Sequence, residues 1–152
     1  MPAFTVNITG LPVAQGSLVP RGNGRPGLRY PNEVSLKAWR HMIISEVTAA
    51  RPDNWQPTSP VTITATFRFP RPANHYGTGR NRGCLKPTAP PWKTTKPDLD
   101  KTLRSVGDSL EQAGLILGDQ QIIGINAAKR YTNDNEAPGL LLTVISHEKA
   151  DS

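Results

Sequence analysis

One cysteine in 152 residues, Cys84, leaves no partner for an internal disulfide. It also has no second thiol or clustered histidine with which to hold zinc. The three histidines, His41, His75 and His147, are scattered along the chain, which argues against a histidine nucleophile or a histidine metal centre. No apolar run approaches the ~20 residues of a membrane span. Met1-Pro2-Ala3-Phe4 lacks the charged and apolar regions of a secretion signal. The expectation is a soluble cytoplasmic chain with no membrane partner and no organic cofactor.

Acid is also in short supply, and its absence is local. Eighteen Lys and Arg face twelve Asp and Glu, giving a net charge of +6, a balance that suits a polyanionic partner. Residues 71–97 hold Arg71, Arg80, Arg82, Lys86, Lys93 and Lys96 and no acidic residue, so this segment alone carries a charge equal to that of the whole chain. A segment of this length without evident secondary structure is usually functional or disordered. Tyr76 and Trp92 offer faces for base stacking, and the run from Pro87 to Pro91 favours an extended path. A second stretch without acid, residues 15–32, carries Arg21, Arg25 and Arg29, with Arg21-Gly22-Asn23-Gly24-Arg25 as a turn between two short strands. Both stretches are candidate DNA contacts.

The rest of the chain is patterned for a core. Phe4, Val6 and Ile8 alternate with Thr5 and Asn7 and predict a strand ended by Gly10 and Pro12. Asn32 predicts the start of a helix running to about residue 50, because Leu36, Trp39, Ile43, Val47 and Ala50 share a face, with Lys37, Arg40 and His41 opposite. Val61, Ile63, Ala65, Phe67 and Phe69 alternate with three threonines and Arg68, a strand with one buried and one polar face. Ile123, Ile125, Ala127, Lys129 and Tyr131 share one face of a later strand. Residues 140–145 are apolar on both sides and read as interior, and the chain frays from His147. The order implies an α+β fold, a mixed sheet with two helices packed on it, in a single domain over residues 1–152.

The chemistry lies in Lys96-Pro97-Asp98-Leu99-Asp100-Lys101-Thr102-Leu103-Arg104 and in the fifteen or so residues after it. Asp98 is a good N-cap after a proline, and Leu99, Leu103, Val106 and Leu110 recur at helical spacing to make a core face. Asp100, Arg104 and Asp108 rise in a line on another side, one turn apart, and Gly114 is a natural stop. The helix is about 22 Å long at ~1.5 Å per residue. An extended return through residues 115–119 recovers most of that length and brings Asp119 close to Asp98 and Asp100. Three gathered carboxylates repel one another unless a cation neutralises them, and oxygen ligands suit Mg²⁺, for which Mn²⁺ commonly substitutes. Such a site activates water for attack on a phosphodiester.

Pro97-Asp98-Leu99-Asp100, the basic Arg104, the Asp108-Ser109-Leu110 step and Asp119-Gln120-Gln121-Ile122 together resemble the RusA family of Holliday-junction resolvases. In that family an Asp-Leu-Asp motif begins a helix and a later Asp-X-Gln-(Val/Ile) completes the site. The resemblance implies the same α+β architecture, with Asp98, Asp100 and Asp119 as metal-binding catalytic carboxylates and Arg104 where the family commonly has a lysine near the scissile phosphate. It implies a homodimer nicking branched DNA symmetrically, in phage or prophage recombination and repair. Asp108 is then a supporting residue orienting Arg104 one turn away, and Lys101, which replaces the family's more usual asparagine, joins the basic residues that meet DNA. Two other readings stay open at this point: a non-catalytic branched-DNA-binding protein, and a metal-dependent flap or single-strand nuclease.

Overall fold

The computed structural model describes residues 1–148. Its main sheet has four strands, β1 (Ala3–Thr9), β4 (Val61–Phe69), β5 (Ile122–Tyr131) and β6 (Gly139–Ser146), in the order β1-β6-β4-β5. β6 pairs antiparallel with both neighbours, and β4 pairs parallel with β5, so the sheet is mixed. The other elements are the two-residue strands β2 (Val19–Pro20) and β3 (Leu28–Arg29) and the helices α1 (Glu33–Ala50) and α2 (Leu99–Gln112). The α+β architecture expected from the sequence is the one observed.

Period-two patterning explains the buried face. Phe4, Val6 and Ile8 of β1, Val61, Ile63, Ala65 and Phe67 of β4, and Leu140, Leu142 and Val144 of β6 all lie in the core. Trp39, Ile43 and Val47 of α1 and Val106 and Leu110 of α2 close over them. The opposite face keeps polar groups, including the Thr5 and Thr143 hydroxyls 2.8 Å apart. Residues 140–145 do form an interior strand, but Leu141 remains 44% exposed because only one face of the sheet is covered. Arg68, expected on the polar face, is buried there, its guanidinium donating to Ala137 O and Asn7 Oδ1.

α2 departs from the sequence picture of one oily and one loaded side. Thr102, Ser105 and Ser109 form a second buried stripe. Their hydroxyls donate to the carbonyls of Asp98, Thr102 and Ser105, which satisfies them inside the helix. Small, internally bonded side chains let a helix be covered on a second side, and α2 packs against α1 as well as β5.

The basic segment before α2 is ordered, against the expectation of a loop without structure. It holds two 3₁₀ turns, Ala73–His75 and Gly79–Asn81, and isolated bridges pair Tyr76 with Leu85 and Gly77 with Arg82. Tyr131 at the end of β5 anchors it: the Arg71 guanidinium lies 4.5 Å from that ring's centre and His75 meets it edge-on. Lys93 Nζ sits 4.9 Å from the Phe69 ring. At the other end of the chain His147 is tied down, its N–H donating to Pro60 O and its ring bonded to the Thr62 hydroxyl. The rest of the expected frayed end, residues 149–152, lies outside the described residues.

Candidate nuclease site

Asp98 takes the N-cap position of α2 in extended backbone, yet its carboxylate makes no capping hydrogen bond. Its Oδ2 lies 3.5 Å from Lys101 Nζ. It therefore faces outward, into a cleft shared with Ala14, Gly16, Asn32, Lys96 and Lys101. The approach to this residue is held by β5, since Lys129 Nζ donates to the carbonyls of Thr95 and Pro97 at 2.7 and 2.9 Å.

On another side of the helix start, Asp100, Arg104 and Asp119 line one cavity of about 260 Å³. Ile63, Leu103, Gly107, Ile122 and Ile125 form the rest of its wall. Ile125 is 53% exposed because β5 is the edge strand and α2 does not cover it fully. Arg104 is exposed, and among the described residues its guanidinium enters no ion pair. Arg104 thus offers an uncommitted guanidinium on a wall that also carries two carboxylates.

Asp119 does not complete the extended return. The return is bent at residues 113–117 and a 3₁₀ turn over residues 119–121 follows it, though Asp119 still shares the cavity with Asp100. Asp119 Oδ1 comes to rest against Gly107, midway along α2, 3.4 Å from where a β-carbon on that glycine would sit. Carboxylate oxygens of Asp108, Glu111 and Asp119 thus lie within 4.8 Å of one another. Burial pushes the Asp119 carboxyl above its ordinary pKa, and the charge of Asp108 adds to the rise. Asp100 shares the cavity with Asp119 but lies outside that close trio, and Asp98 lines the neighbouring cleft. Asp108 accepts its hydrogen bond from Gln15, not from Arg104.

Gln121 explains why the acidic turn carries a glutamine two residues on. Its Oε1 accepts from the N–H groups of Leu117 and Gly118, and its Nε2 donates to the carbonyls of Pro57 and Ser59. One side chain thereby fixes the turn that carries Asp119 to the loop before β4. The Trp55 indole does the same a few residues earlier, donating to Leu115 O at 2.9 Å. Gln121→Ala removes all four bonds and is expected to cost about 2 kcal/mol, read as a shift in the urea midpoint. Loss of nuclease activity should exceed what that instability explains, because Asp119 is no longer held.

Residues 12–144 match the sequence profile described as endodeoxyribonuclease RusA. The chain belongs to the RusA endodeoxyribonuclease family. It is also similar to the uncharacterized protein YqaN of Bacillus subtilis (strain 168), at 27% identity over 142 residues, covering 88% of this chain and 92% of that protein. RusA proteins are endodeoxyribonucleases, so the family points to DNA as the partner and phosphodiester hydrolysis as the reaction.

The basic residues flank this RusA site unequally. Arg80, Arg82, Lys86 and Lys96 are exposed. Lys93 is half-buried, with Nζ donating to Thr95 Oγ1 and Lys96 O, and burial together with Lys129 lowers its pKa. In the β2–β3 hairpin Arg25 is free in solvent, Arg21 lies 3.9 Å from Glu33, and Arg29 donates to the carbonyls of Tyr30 and Pro31. Sequence reasoning passed over Glu111, Gln15 and Lys129. Glu111 was within reach of it, one turn beyond Asp108; the other two act through partners distant in sequence.

Proposed function

We propose that the chain is a Mg²⁺-dependent endonuclease that resolves Holliday junctions and related branched DNA by paired symmetric nicks. It acts as a homodimer in the cytoplasm, in recombination and repair. The observation that carries the reading is that Asp100, Arg104 and Asp119, drawn from two different elements, line a single cavity. The donor set fits a hard cation: the groups are carboxylates, and oxygens of Asp108, Glu111 and Asp119 lie within 4.8 Å of one another.

Asp100 and Asp119, which share the cavity, would hold Mg²⁺, and Asp98, on the neighbouring cleft at the same helix start, would join them by turning its side chain, with Asp108 and Glu111 adding negative charge beside Asp119. Held there, Mg²⁺ would supply a water of lowered pKa and a counter-charge for the phosphate. Arg104 grips the non-bridging oxygens of the scissile phosphate, and the exposed Arg80, Arg82, Lys86, Lys96 and Arg25, with the half-buried Lys101, carry the flanking strands. A four-way junction has approximate two-fold symmetry, so one site per subunit of a C2 dimer reaches both equivalent strands.

The test is a synthetic four-way junction incubated with the full chain and Mg²⁺ or Mn²⁺, beside a flap and a linear duplex of the same sequence. Symmetric nicks in opposite strands of the junction, abolished by chelation, are expected. Equal cutting of flap and duplex, or junction binding with no metal-dependent nick, refutes the proposal.

A further inference from the structure

Gln15 lies in the loop between β1 and the basic hairpin, and it is only 3% exposed. Its backbone N–H donates to the carbonyl of Lys101 at 2.9 Å, which fastens the loop to the first turn of α2. Its Nε2 donates to the Asp108 carboxylate and, at 3.3 Å, to the Tyr30 hydroxyl. A carboxylate only accepts, so the amide nitrogen must face Asp108. The amide oxygen is thereby turned away, buried and without a donor.

An unpaired buried acceptor lowers stability. Against that cost stand the two hydrogen bonds the amide donates, to Asp108 and Tyr30, so its worth to the fold alone is close to balance. Asp108, meanwhile, is held within 4.8 Å of the oxygens of Glu111 and Asp119, against like-charge repulsion. Left alone, its side chain would rotate away from the other two.

We infer that Gln15 is a positioning residue for the carboxylate site: its amide holds Asp108 toward Asp119 and, through Tyr30 and the Lys101 carbonyl, ties the basic hairpin to α2. The inference rests on the metal-dependent nuclease reading. DNA engagement by the hairpin and the arrangement of the acidic site then share one side chain.

The test is Gln15→Met in the full chain, which keeps length and apolar bulk and removes the amide. Groups that bond a metal ligand directly typically change metal affinity or activity by 10- to 100-fold, and Gln15, which acts through Asp108 beside Asp119, belongs at the low end, about 10-fold. Mn²⁺ affinity measured without DNA is expected to fall by about that factor, while the thermal midpoint does not fall and junction affinity in Ca²⁺ stays within about threefold. In an Asp108→Asn background the same substitution should change Mn²⁺ affinity less than about twofold, because both act through one carboxylate. Losses that multiply in the double variant, or Mn²⁺ affinity unchanged in the single one, overturn the inference. Should Gln15→Met not fold, Gln15→Asn keeps the amide but draws it back by one methylene, and normal Mn²⁺ binding there overturns the inference equally. A wild-type chain that binds Mn²⁺ and leaves junctions uncut refutes the resolvase reading, and Gln15 is then judged on Mn²⁺ affinity alone.

Discussion

Asp119→Asn is expected to lose at least ~10³-fold in junction cleavage while binding the same junction within about threefold of wild type. Asparagine keeps the shape and one oxygen, so the 3₁₀ turn and its Gln121 clamp stay in place. What disappears is one negative charge in the cavity with Asp100 and Arg104. Stability should move in the opposite direction to activity. Burial and Asp108 raise the Asp119 pKa, so the ionised form costs stability. That cost is absent below the ordinary carboxylate pKa, sets in as pH rises and is complete above the raised value. A neutral amide removes it, but Asp119 is exposed and solvent screens most of the cost, so the thermal midpoint at neutral pH is expected to rise by no more than ~1 °C. Single-turnover cleavage, anisotropy in Ca²⁺ and a melting curve make the three measurements. Near-normal cleavage, or a variant that is inactive only because it melts several degrees lower, would defeat the assignment.

Arg104→Ala is expected to slow cleavage by about 10²- to 10³-fold at saturating enzyme, with little change in junction affinity. Arg104 lies exposed on the cavity wall and forms no ion pair among the described residues, so its substitution leaves no buried partner stranded. The loss should therefore appear in the chemical step and not in the melting curve. Arg104→Lys should recover most of the rate, to within about tenfold, since a lysine keeps the charge but not the bidentate fork. An unchanged rate in Arg104→Ala, or a defect confined to binding, would move Arg104 out of the site.

The two effects differ in origin and so complement each other. On the proposed reading Asp119 would contribute charge where a cation binds and Arg104 charge where the phosphate binds. Combined, their substitutions should be far less than additive if both serve one transition state. Gln121, Trp55 and Lys129 act one layer out, holding backbone segments to the frame. Their loss should show as a mixture of lower stability and lower rate.

How far the site was legible differs from residue to residue. The limits of α2 and its leucine and valine face follow from a local 3.6-residue period, and residues 98–113 were expected where residues 99–112 are helical. The alternation of β4 and β1 was equally local. The Asp-Leu-Asp step and the later Asp-X-Gln could be read as a metal motif, and the family match over residues 12–144 agrees with that resemblance. The path of the chain between them could not be read. An extended return would carry Asp119 to the start of the helix, whereas the turn stops it beside Gly107. The Trp55 indole and the carbonyls of Pro57 and Ser59 decide this, and they lie roughly sixty residues away in sequence.

The basic loop makes the same point from the other side. Its charge was plain in the sequence, but its order was not, because a segment anchored by Arg71 and His75 on Tyr131 has no periodicity of its own. By itself the sequence determined what is encoded by neighbours: two amphipathic helices, the alternating strands, the acidic steps, the excess of positive charge and the family. Tertiary structure alone decided which carboxylates meet, that Asp108 answers to Gln15 and not to Arg104, and that Asp98 and Asp119 open onto different clefts. The physical reason is range: periodicity reports on side chains a few residues apart, whereas a site is closed by hydrogen bonds and packing between segments that only the folded chain brings together.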